Sequence, residues 1–412
     1  SESVGYLRAQ TEDFGGAGHC TLIGGGKTAP DRAGFYNAAL IRYLDFNDGY
    51  MGRLATSHPS DNLAGVLAAS EYAGTGGREF LTALALAYQV QCRLCDEMDY
   101  ESKGFDQPLG GAYAVATGVS RALGLNLSQT ANAIAIAGVS GNPLYVTRLG
   151  TISHWKGFAY AGCVFSAVHA AFLAMRGVTG PLTVFEGPLG VMDAITGPVE
   201  VDWEQENLEK VLEISIKKYN SGLHAQAAIE GVLEMKSDFG FSPGEVEQLD
   251  IETYEYAHNI MGGGRGGDRH IVPNKETADH SLPYVVAVAL LDGQVMPAQY
   301  EEERISREDV QDLLQKVFSS SSDELNGRYP EESPFRFKVT LRDGTVYKKE
   351  KSMCEGFFTN PMNWEAVVDK FEALSEPHAG ANLRSEIADA VSRLEFIRVK
   401  ELTALLGRVG KR

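Results

Sequence analysis

Core-facing, mainly apolar residues recur at helical spacing over most of the first half of the chain. Leu84, Ala87, Tyr88, Gln91 and Cys95 follow the i, i+3, i+4 rhythm of a helix face that packs against a core. Many of the residues in this half are small, which indicates close helix packing. The pattern predicts helices over 62–74, 78–98, 109–123, 128–140, 157–176 and 206–216.

The pattern changes near residue 213, where strand-like alternation appears. A strand is predicted over 246–254, and a hairpin over 335–347 turns at Asp343-Gly344. Helices are predicted over 224–236, 280–291 and 306–318, and helical spacing returns over 362–406. We therefore predict a mainly α protein. Its large helical domain comprises residues 1–212 and 361–412, and an α+β lid domain over 213–360 is inserted between them.

A polar stretch over 42–65 interrupts the first helical region. Its apolar flanks place it between two core helices, where active sites are commonly built. Asp45 and His58 lie on this one loop, so their side chains can converge on one cleft. A carboxylate and an imidazole can divide the roles of base and orienting partner. We predict both as catalytic, with either as the base, and Asn47 as a substrate-binding neighbour.

Cationic side chains form a second set of candidates. Lys156 opens a long apolar helix whose next residues are small, and a cation at a helix start suits an anion. Two cations, Lys217 and Lys218, lie with His224 at the predicted domain junction, a set that suits an anionic substrate. His280 precedes another apolar helix. Arg148 is a further candidate carboxylate clamp. The alternatives are a surface lysine at 156, a solvated linker at 217–224 and a capping histidine at 280.

The charge narrows the class of ligand. The chain has 412 residues and a net charge of −18, which argues against nucleic acid and against an anionic membrane surface. An anionic ligand would need cations gathered locally. The apolar run over 157–175 is too polar for a membrane span. The five scattered cysteines fit a reducing, cytoplasmic setting and provide no metal-ligand set.

Two glycine-rich stretches resemble nucleotide-binding motifs only superficially. Residues 23–28 lack the spacing of a phosphate loop. Gly262, Gly264 and Gly267 match G-x-G-x-x-G, but no helix is predicted after them, so a flexible loop is expected. We predict no cofactor and no metal.

Seven phrases in order along the chain carry a family resemblance. They are LDFNDG (44–49), SHPSDN (57–62), KGFD (103–106), SHWKG (153–157), GVTGP (177–181), KKYNSGLHAQ (217–226) and DHSLPYVVAVALLDG (279–293). Together they resemble the MmgE/PrpD family. The resemblance implies a helical domain with an inserted α+β lid, a homodimer, and catalysis without a metal on small di- or tricarboxylates.

The resemblance also implies an activity and site residues. It places Asp45, His58, Lys156, Lys218, His224 and Tyr284 at the site, with Lys218 binding substrate and the others catalytic. Asp106 is added as a substrate-binding residue. The expected reaction is metal-independent dehydration of a tricarboxylate such as 2-methylcitrate, in propionate catabolism. Decarboxylation of cis-aconitate, epimerisation of a related acid and non-catalytic carboxylate binding are the alternatives.

Overall fold

A computed structural model describes residues 16–141, 143–149, 152–264 and 267–410, together with Gly5, Tyr6 and Arg8. The described chain is mainly helical, as the sequence pattern predicts. Its helices are α1 (Pro30–Tyr43), α2 (Leu63–Ala73), α3 (Gly77–Glu97), α4 (Pro108–Leu123), α5 (Leu127–Val139), α6 (Ala159–Met175), α7 (Gln226–Phe239), α8 (Glu255–Ala257), α9 (Lys275–Ala278), α10 (Leu282–Asp292), α11 (Glu302–Ile305), α12 (Glu308–Leu314), α13 (Asp323–Asn326), α14 (Trp364–Ser375), α15 (Ala381–Ser392) and α16 (Val399–Leu406). The strands are β1 (Cys20–Thr21), β2 (Lys27–Thr28), β3 (Asp48–Met51), β4 (Thr56–Ser57), β5 (Ser215–Ile216), β6 (Val246–Thr253), β7 (Val317–Ser321), β8 (Phe335–Leu341) and β9 (Val346–Lys351).

The first hydrophobic core lies among α1 to α6. Helix α6 packs against α1, α4 and α5, and α3 packs against α4. These helices approach closely through small residues: a Cβ at Gly118 would lie 2.9 Å from the Ala87 side chain. Leu394, Val399 and Leu402 join the same core from the far end of the chain. Residues widely separated in sequence therefore share one hydrophobic interior.

The second core lies between a sheet and two helices. Its strands are ordered β7-β6-β8-β9, with β6 and β7 parallel and the other pairs antiparallel. The predicted hairpin is present as β8 and β9, and Gly344 has the positive φ of +89° that its turn requires. Helices α7 and α10 cover this sheet, and α10 is buried from Leu282 to Leu290.

The predicted helix over 206–216 is wrong. A short 3-10 turn (Glu209–Glu213) is followed by β5, which pairs antiparallel with β3 so that Ile216 faces Asp48 and Ser215 faces Gly49. Tertiary strand pairing here overrides local helix propensity. The pairing also matters for function, because it brings the chain after residue 216 beside the polar stretch.

A second boundary also differs. The helix predicted over 306–318 ends at Leu314, and Val317 begins β7, which hydrogen-bonds to β6. The polar stretch itself is not one loop: it contains β3, β4 and a 3-10 turn over Pro59–Asn62. Its side chains are thus fixed by strand pairing. Among the described residues, no helix is long and apolar enough to cross a membrane.

Candidate active site

One cavity of about 720 Å³ collects most of the predicted residues, and its volume is typical of small-molecule sites. Side chains from both hydrophobic regions line it. Seven of these were predicted from the sequence: Asp45, His58, Asp106, Arg148, Lys156, His224 and His280. Others that line it, among them Arg42, Glu101, Tyr256 and Arg269, were not predicted, and Lys217 lines it in place of its neighbour Lys218, which was the predicted binding residue.

Asp45 is a buried carboxylate held by two cations. Its backbone has a left-handed φ of +54°, a conformation that Asp tolerates better than most residues. Oδ1 accepts hydrogen bonds from Arg42 Nη1 at 2.7 Å and from Lys217 Nζ at 2.8 Å. Burial alone would raise the pKa of Asp45, but the charges of Arg42 and Lys217 hold that pKa well below its ordinary value. Asp45 is therefore ionised and is a weak base.

Lys156, Asp279 and His280 continue this group. Lys156 Nζ lies 3.0 Å from Asp279 Oδ1 and 3.6 Å from Asp45 Oδ2. His280 Nδ1 lies 2.5 Å from Asp279 Oδ1, and Lys275 Nζ lies 2.6 Å from Asp279 Oδ2. We call the set Arg42, Asp45, Lys156, Lys217, Lys275, Asp279 and His280 the ionic cluster. Burial lowers the pKa of Lys156 and lowers that of His280 to about 4.

His58 has a defined tautomer. Its Nδ1 lies 2.6 Å from the backbone carbonyl of Asp48, which can only accept, so Nδ1 carries the proton and Nε2 carries the lone pair. Its backbone N–H donates to Gln107 Oε1 at 3.1 Å. Burial, with the nearby charges of Arg42 and Lys217, lowers the pKa of His58 well below its ordinary value. At neutral pH the imidazole is therefore uncharged, and its Nε2 has the lone pair that can accept a proton.

His224 is a second neutral imidazole on the cavity wall. Its Nδ1 lies 2.7 Å from the Tyr254 hydroxyl, and its buried Nε2 has no hydrogen-bond partner among the described residues. Burial lowers the pKa of His224 to about 3. A buried polar atom left free beside a cavity is suited to a ligand contact.

Asp106 and Arg148 both line the cavity, where they form an ion pair with each other. Arg148 Nε lies 2.5 Å from Asp106 Oδ1, and the pair is largely buried. Glu101 lies on the same wall, where it accepts from the Tyr256 hydroxyl at 3.0 Å, and burial raises its pKa to about 7. The charge of Arg148 is thus already balanced before any ligand binds.

Three predicted residues do not reach the cavity. Asn47 instead braces the polar stretch, donating to Ser60 Oγ at 2.9 Å and to Asp61 Oδ1 at 3.1 Å. Lys218 points away and forms ion pairs with Glu230 at 3.1 Å and Glu355 at 2.8 Å.

Tyr284 is the third residue that stays outside the cavity. Its side chain lies inside α10, and its hydroxyl donates to the carbonyl of Gln299. The helix buries this face against the second core, and Tyr284 is not among the residues that line the cavity.

The alternation of side chains along the strand could have identified Lys217, rather than Lys218, as the inward-pointing lysine. Ser215 is buried, Ile216 is exposed and Lys217 is 1% exposed, so the side chains alternate and Lys217 points inward. Predicting a helix over 206–216 concealed this alternation. Arg42 carried a weaker signal, a charge three residues before Asp45 at a buried helix position. We find no local sequence signal for Arg269.

A lysine far along the chain supports the site. Lys370, on α14, donates from Nζ to the carbonyl of Phe46 at 2.7 Å and to the carbonyl of Lys217 at 2.6 Å. Its Nζ also lies 4.0 Å from the centre of the Phe46 ring, and burial lowers its pKa to about 7. Lys370 thereby fixes the backbone on both sides of the Asp45–Lys217 pair.

The ionic cluster contains a set with metal-ligand geometry. Ligand atoms of Asp45, Asp279 and His280 lie within 4.8 Å of one another. However, both carboxylates already pair with lysine or arginine, and a divalent cation would meet those positive charges. The donor set therefore fits an ion-pair network better than a resident metal.

Comparison with known proteins identifies the family. The model of the MmgE/PrpD N-terminal domain matches residues 1–204, and that of the MmgE/PrpD C-terminal domain matches residues 219–395. The chain belongs to the MmgE/PrpD family, which confirms the resemblance seen in the sequence.

Curated relatives carry one recurring name. The chain is 29% identical to the mitochondrial 2-methylcitrate dehydratase of Yarrowia lipolytica, an alignment that covers 77% of this chain and 64% of the relative. It is 26% identical to the 2-methylcitrate dehydratase of Escherichia coli K12, covering 78% and 69%, and 28% identical to that of Cupriavidus necator, covering 77% and 69%. The alignment thus spans about two thirds of the length of these relatives.

Proposed function

We propose that this protein is a hydro-lyase that removes water from a small tricarboxylate, with 2-methylcitrate as substrate and 2-methyl-cis-aconitate and water as products. One observation carries the proposal: a neutral imidazole of fixed tautomer, His58, faces a cavity whose wall holds a buried group of cations. The names of the curated relatives support the choice of substrate.

His58 is the base in this proposal. The C–H beside a carboxylate is a weak acid, and its removal needs a positioned base that is unprotonated at neutral pH. His58 Nε2 meets that requirement, since Nδ1 is occupied by the Asp48 carbonyl. Asp45 is less suited to the same role, because its Oδ1 already accepts hydrogen bonds from Arg42 Nη1 and Lys217 Nζ.

The ionic cluster stabilises the charge that proton removal creates. Negative charge develops on the substrate carboxylate as an enediolate, and preorganised cations in a buried site stabilise such charge strongly. The cluster holds four cationic side chains (Arg42, Lys156, Lys217 and Lys275) against two carboxylates, Asp45 and Asp279. Asp61 Oδ2 also lies 3.7 Å from Arg42 Nε, so the cations outnumber the carboxylates by four to three in a chain whose net charge is −18.

Lys156 supplies the proton to the departing hydroxide. Its pKa is lowered by burial, which makes its ammonium a stronger acid than an exposed lysine. His58 thus gains the proton taken from carbon, and Lys156 loses the proton that converts hydroxide to water. His224 Nε2 is free to contact the substrate.

The proposed reaction would benefit from closure of a lid over the cavity. We propose that residues 213–360 form the lid over the helical part built from 1–212 and 361–412, and that closure excludes water from the cavity. The homodimer, the role in propionate catabolism and the cytoplasmic location stay predictions.

Incubation with citrate, 2-methylcitrate and cis-aconitate, followed by NMR, tests the proposal. We expect an alkene that retains all three carboxylates, formed from 2-methylcitrate equally well with and without excess chelator. Release of carbon dioxide would establish a decarboxylase, and inverted stereochemistry an epimerase. Binding of tricarboxylate without turnover would establish a carboxylate-binding protein. Loss of activity in chelator would contradict the metal-free reaction.

A further inference from the structure

Arg269 lies on the cavity wall beside the ionic cluster. Its side chain is buried, with the residue 4% exposed, and it follows the glycine-rich stretch that contains Gly262 and Gly264. Ser281 Oγ donates to the Arg269 carbonyl at 2.6 Å and also accepts from the Tyr284 N–H at the start of α10. Arg269 is therefore tethered to the segment that carries Asp279 and His280.

Arg269 differs from the other cations that line the cavity. Arg42, Arg148, Lys156 and Lys217 each have a carboxylate oxygen within 3.0 Å, at 2.7, 2.5, 3.0 and 2.8 Å respectively. In the part of the chain that the structure describes, no carboxylate lies within ion-pair distance of the Arg269 guanidinium. Its Nε is buried and has no hydrogen-bond partner there.

A guanidinium that is buried without an ion-pair partner is unfavourable. Arginine stays protonated in proteins, and a buried charge without a partner loses its hydration with nothing to replace it. Burial lowers the pKa of Arg269, which reflects the same desolvation. The cost is recovered if the cavity holds an anion, and a carboxylate matches the planar fork of the guanidinium with two parallel hydrogen bonds.

We propose that Arg269 binds the substrate carboxylate that is remote from the reacting carbon, and that it thereby sets a preference for tricarboxylates over dicarboxylates. The inference rests on the proposed tricarboxylate substrate and adds the residue that selects it. The ionic cluster then serves the carboxylate next to the reacting carbon, where charge develops.

Calorimetric titration with two unreactive ligands tests this assignment. Propane-1,2,3-tricarboxylate carries the remote carboxylate, and 2-methylbutanedioate has a methyl group in place of that arm. Wild-type protein should bind the tricarboxylate about 10- to 100-fold more tightly, the range expected for charge-assisted hydrogen bonds. Arg269→Gln should lose this preference and bind the dicarboxylate within about twofold of wild type.

Two further variants complete the test. Arg269→Lys keeps the charge but loses the planar fork, so its preference should be intermediate. Arg121→Gln removes one exposed positive charge on α4, away from the cavity, and should bind both ligands as wild type does. Because Arg269→Gln removes a buried charge that has no carboxylate partner among the described residues, its melting temperature should equal or exceed that of wild type, and this measurement reports on folding.

The outcomes separate this inference from the proposed function. Equal weakening of both ligands in Arg269→Gln, unchanged selectivity in that variant, or a wild-type protein without selectivity would each overturn the role of Arg269. A selective wild-type protein that dehydrates no tricarboxylate would overturn the proposed reaction and leave the role of Arg269 standing. Dehydration of a tricarboxylate by the wild-type protein, together with unchanged selectivity in Arg269→Gln, would support the proposed reaction and overturn the role of Arg269.

Discussion

Members of the ionic cluster line the same cavity as the imidazoles of His58 and His224, but the two groups are held in different ways. Asp45 and Lys217 are 172 residues apart in sequence, and Lys156 and Asp279 are 123 apart, so the cluster exists only after the chain has folded. His58 is fixed by a carbonyl ten residues away. The charged side chains of the cluster form ion pairs. The imidazoles of His58 and His224 stay uncharged because burial disfavours their protonated forms.

This difference separates two chemical tasks. Paired charges hold their geometry and can stabilise a developing anion without reorganising. A neutral imidazole can accept a proton, which an ionised carboxylate between two cations does poorly. Substituting the imidazole of His58 should therefore affect turnover. Substituting a charged residue of the ionic cluster should affect stability as well.

The largest expected effect is on turnover. His58→Ala removes the base, and general bases typically contribute about 10²–10⁴-fold, so we expect kcat to fall at least ~100-fold with the fold intact. The matched control is His169→Ala, whose imidazole is largely exposed on α6. Steady-state kinetics and circular dichroism measure the two properties. Near-normal turnover in His58→Ala would remove His58 from the mechanism.

The next effect distinguishes the adjacent lysines. Lys217→Met takes one partner from buried Asp45, and breaking a buried ion pair costs about 3 kcal/mol or more. Lys218→Met breaks only partly exposed pairs, worth about 1 kcal/mol or less, and should leave turnover within about twofold. Urea unfolding and kinetics of both variants provide the comparison, and equal losses at the two positions would contradict the assigned orientation.

A smaller effect concerns pH and the imidazoles. The pKa of His224 is about 3 in the folded state and about 6.5 in the unfolded chain, so below pH 6.5 the unfolded state binds the extra proton. Stability is retained above pH 6.5 and is lost as the pH falls, by about 2 kcal/mol between pH 7 and pH 5 for this group. His224→Gln should reduce the measured difference by that amount. His169→Gln should keep it, and identical pH profiles for both variants would refute the buried, neutral state of His224.

The smallest effect is expected at Tyr284. Its hydroxyl donates to the Gln299 carbonyl within the second core, so Tyr284→Phe should lose about 1 kcal/mol of stability. Turnover should stay within about twofold, because the hydroxyl does not line the cavity. A large loss of kcat in this variant, measured beside His58→Ala, would restore Tyr284 as a catalytic residue.

Sequence reasoning succeeded where polar residues interrupt apolar segments. His58, Lys156 and His280 were each recognised as polar groups at the edge of buried helices, and all three line the cavity. The helical character of the first region followed from spacing alone. These features are local, and local patterns are directly readable.

Sequence reasoning was weaker where strand pairing decides which side chains point inward. The β3–β5 pair turns Lys217 inward and Lys218 outward, and a helical interpretation of 206–216 concealed that register. The register depends on a partner strand more than 160 residues earlier, so nothing near Lys217 specifies it. Arg269 is placed by a hydrogen bond from Ser281, and its nearest neighbours in sequence carry no trace of that contact.

The position of Lys370 has a consequence for the order in which the protein is made. Synthesis proceeds from the N-terminus, and segments generally fold as they emerge. Asp45 and Lys217 leave the ribosome long before Lys370, which holds the backbone beside both of them. The nascent chain can therefore collapse around its first core while its reaction centre is still unfinished. The backbone contacts that hold Phe46 and Lys217 are completed only after the segment that carries Lys370 has been made.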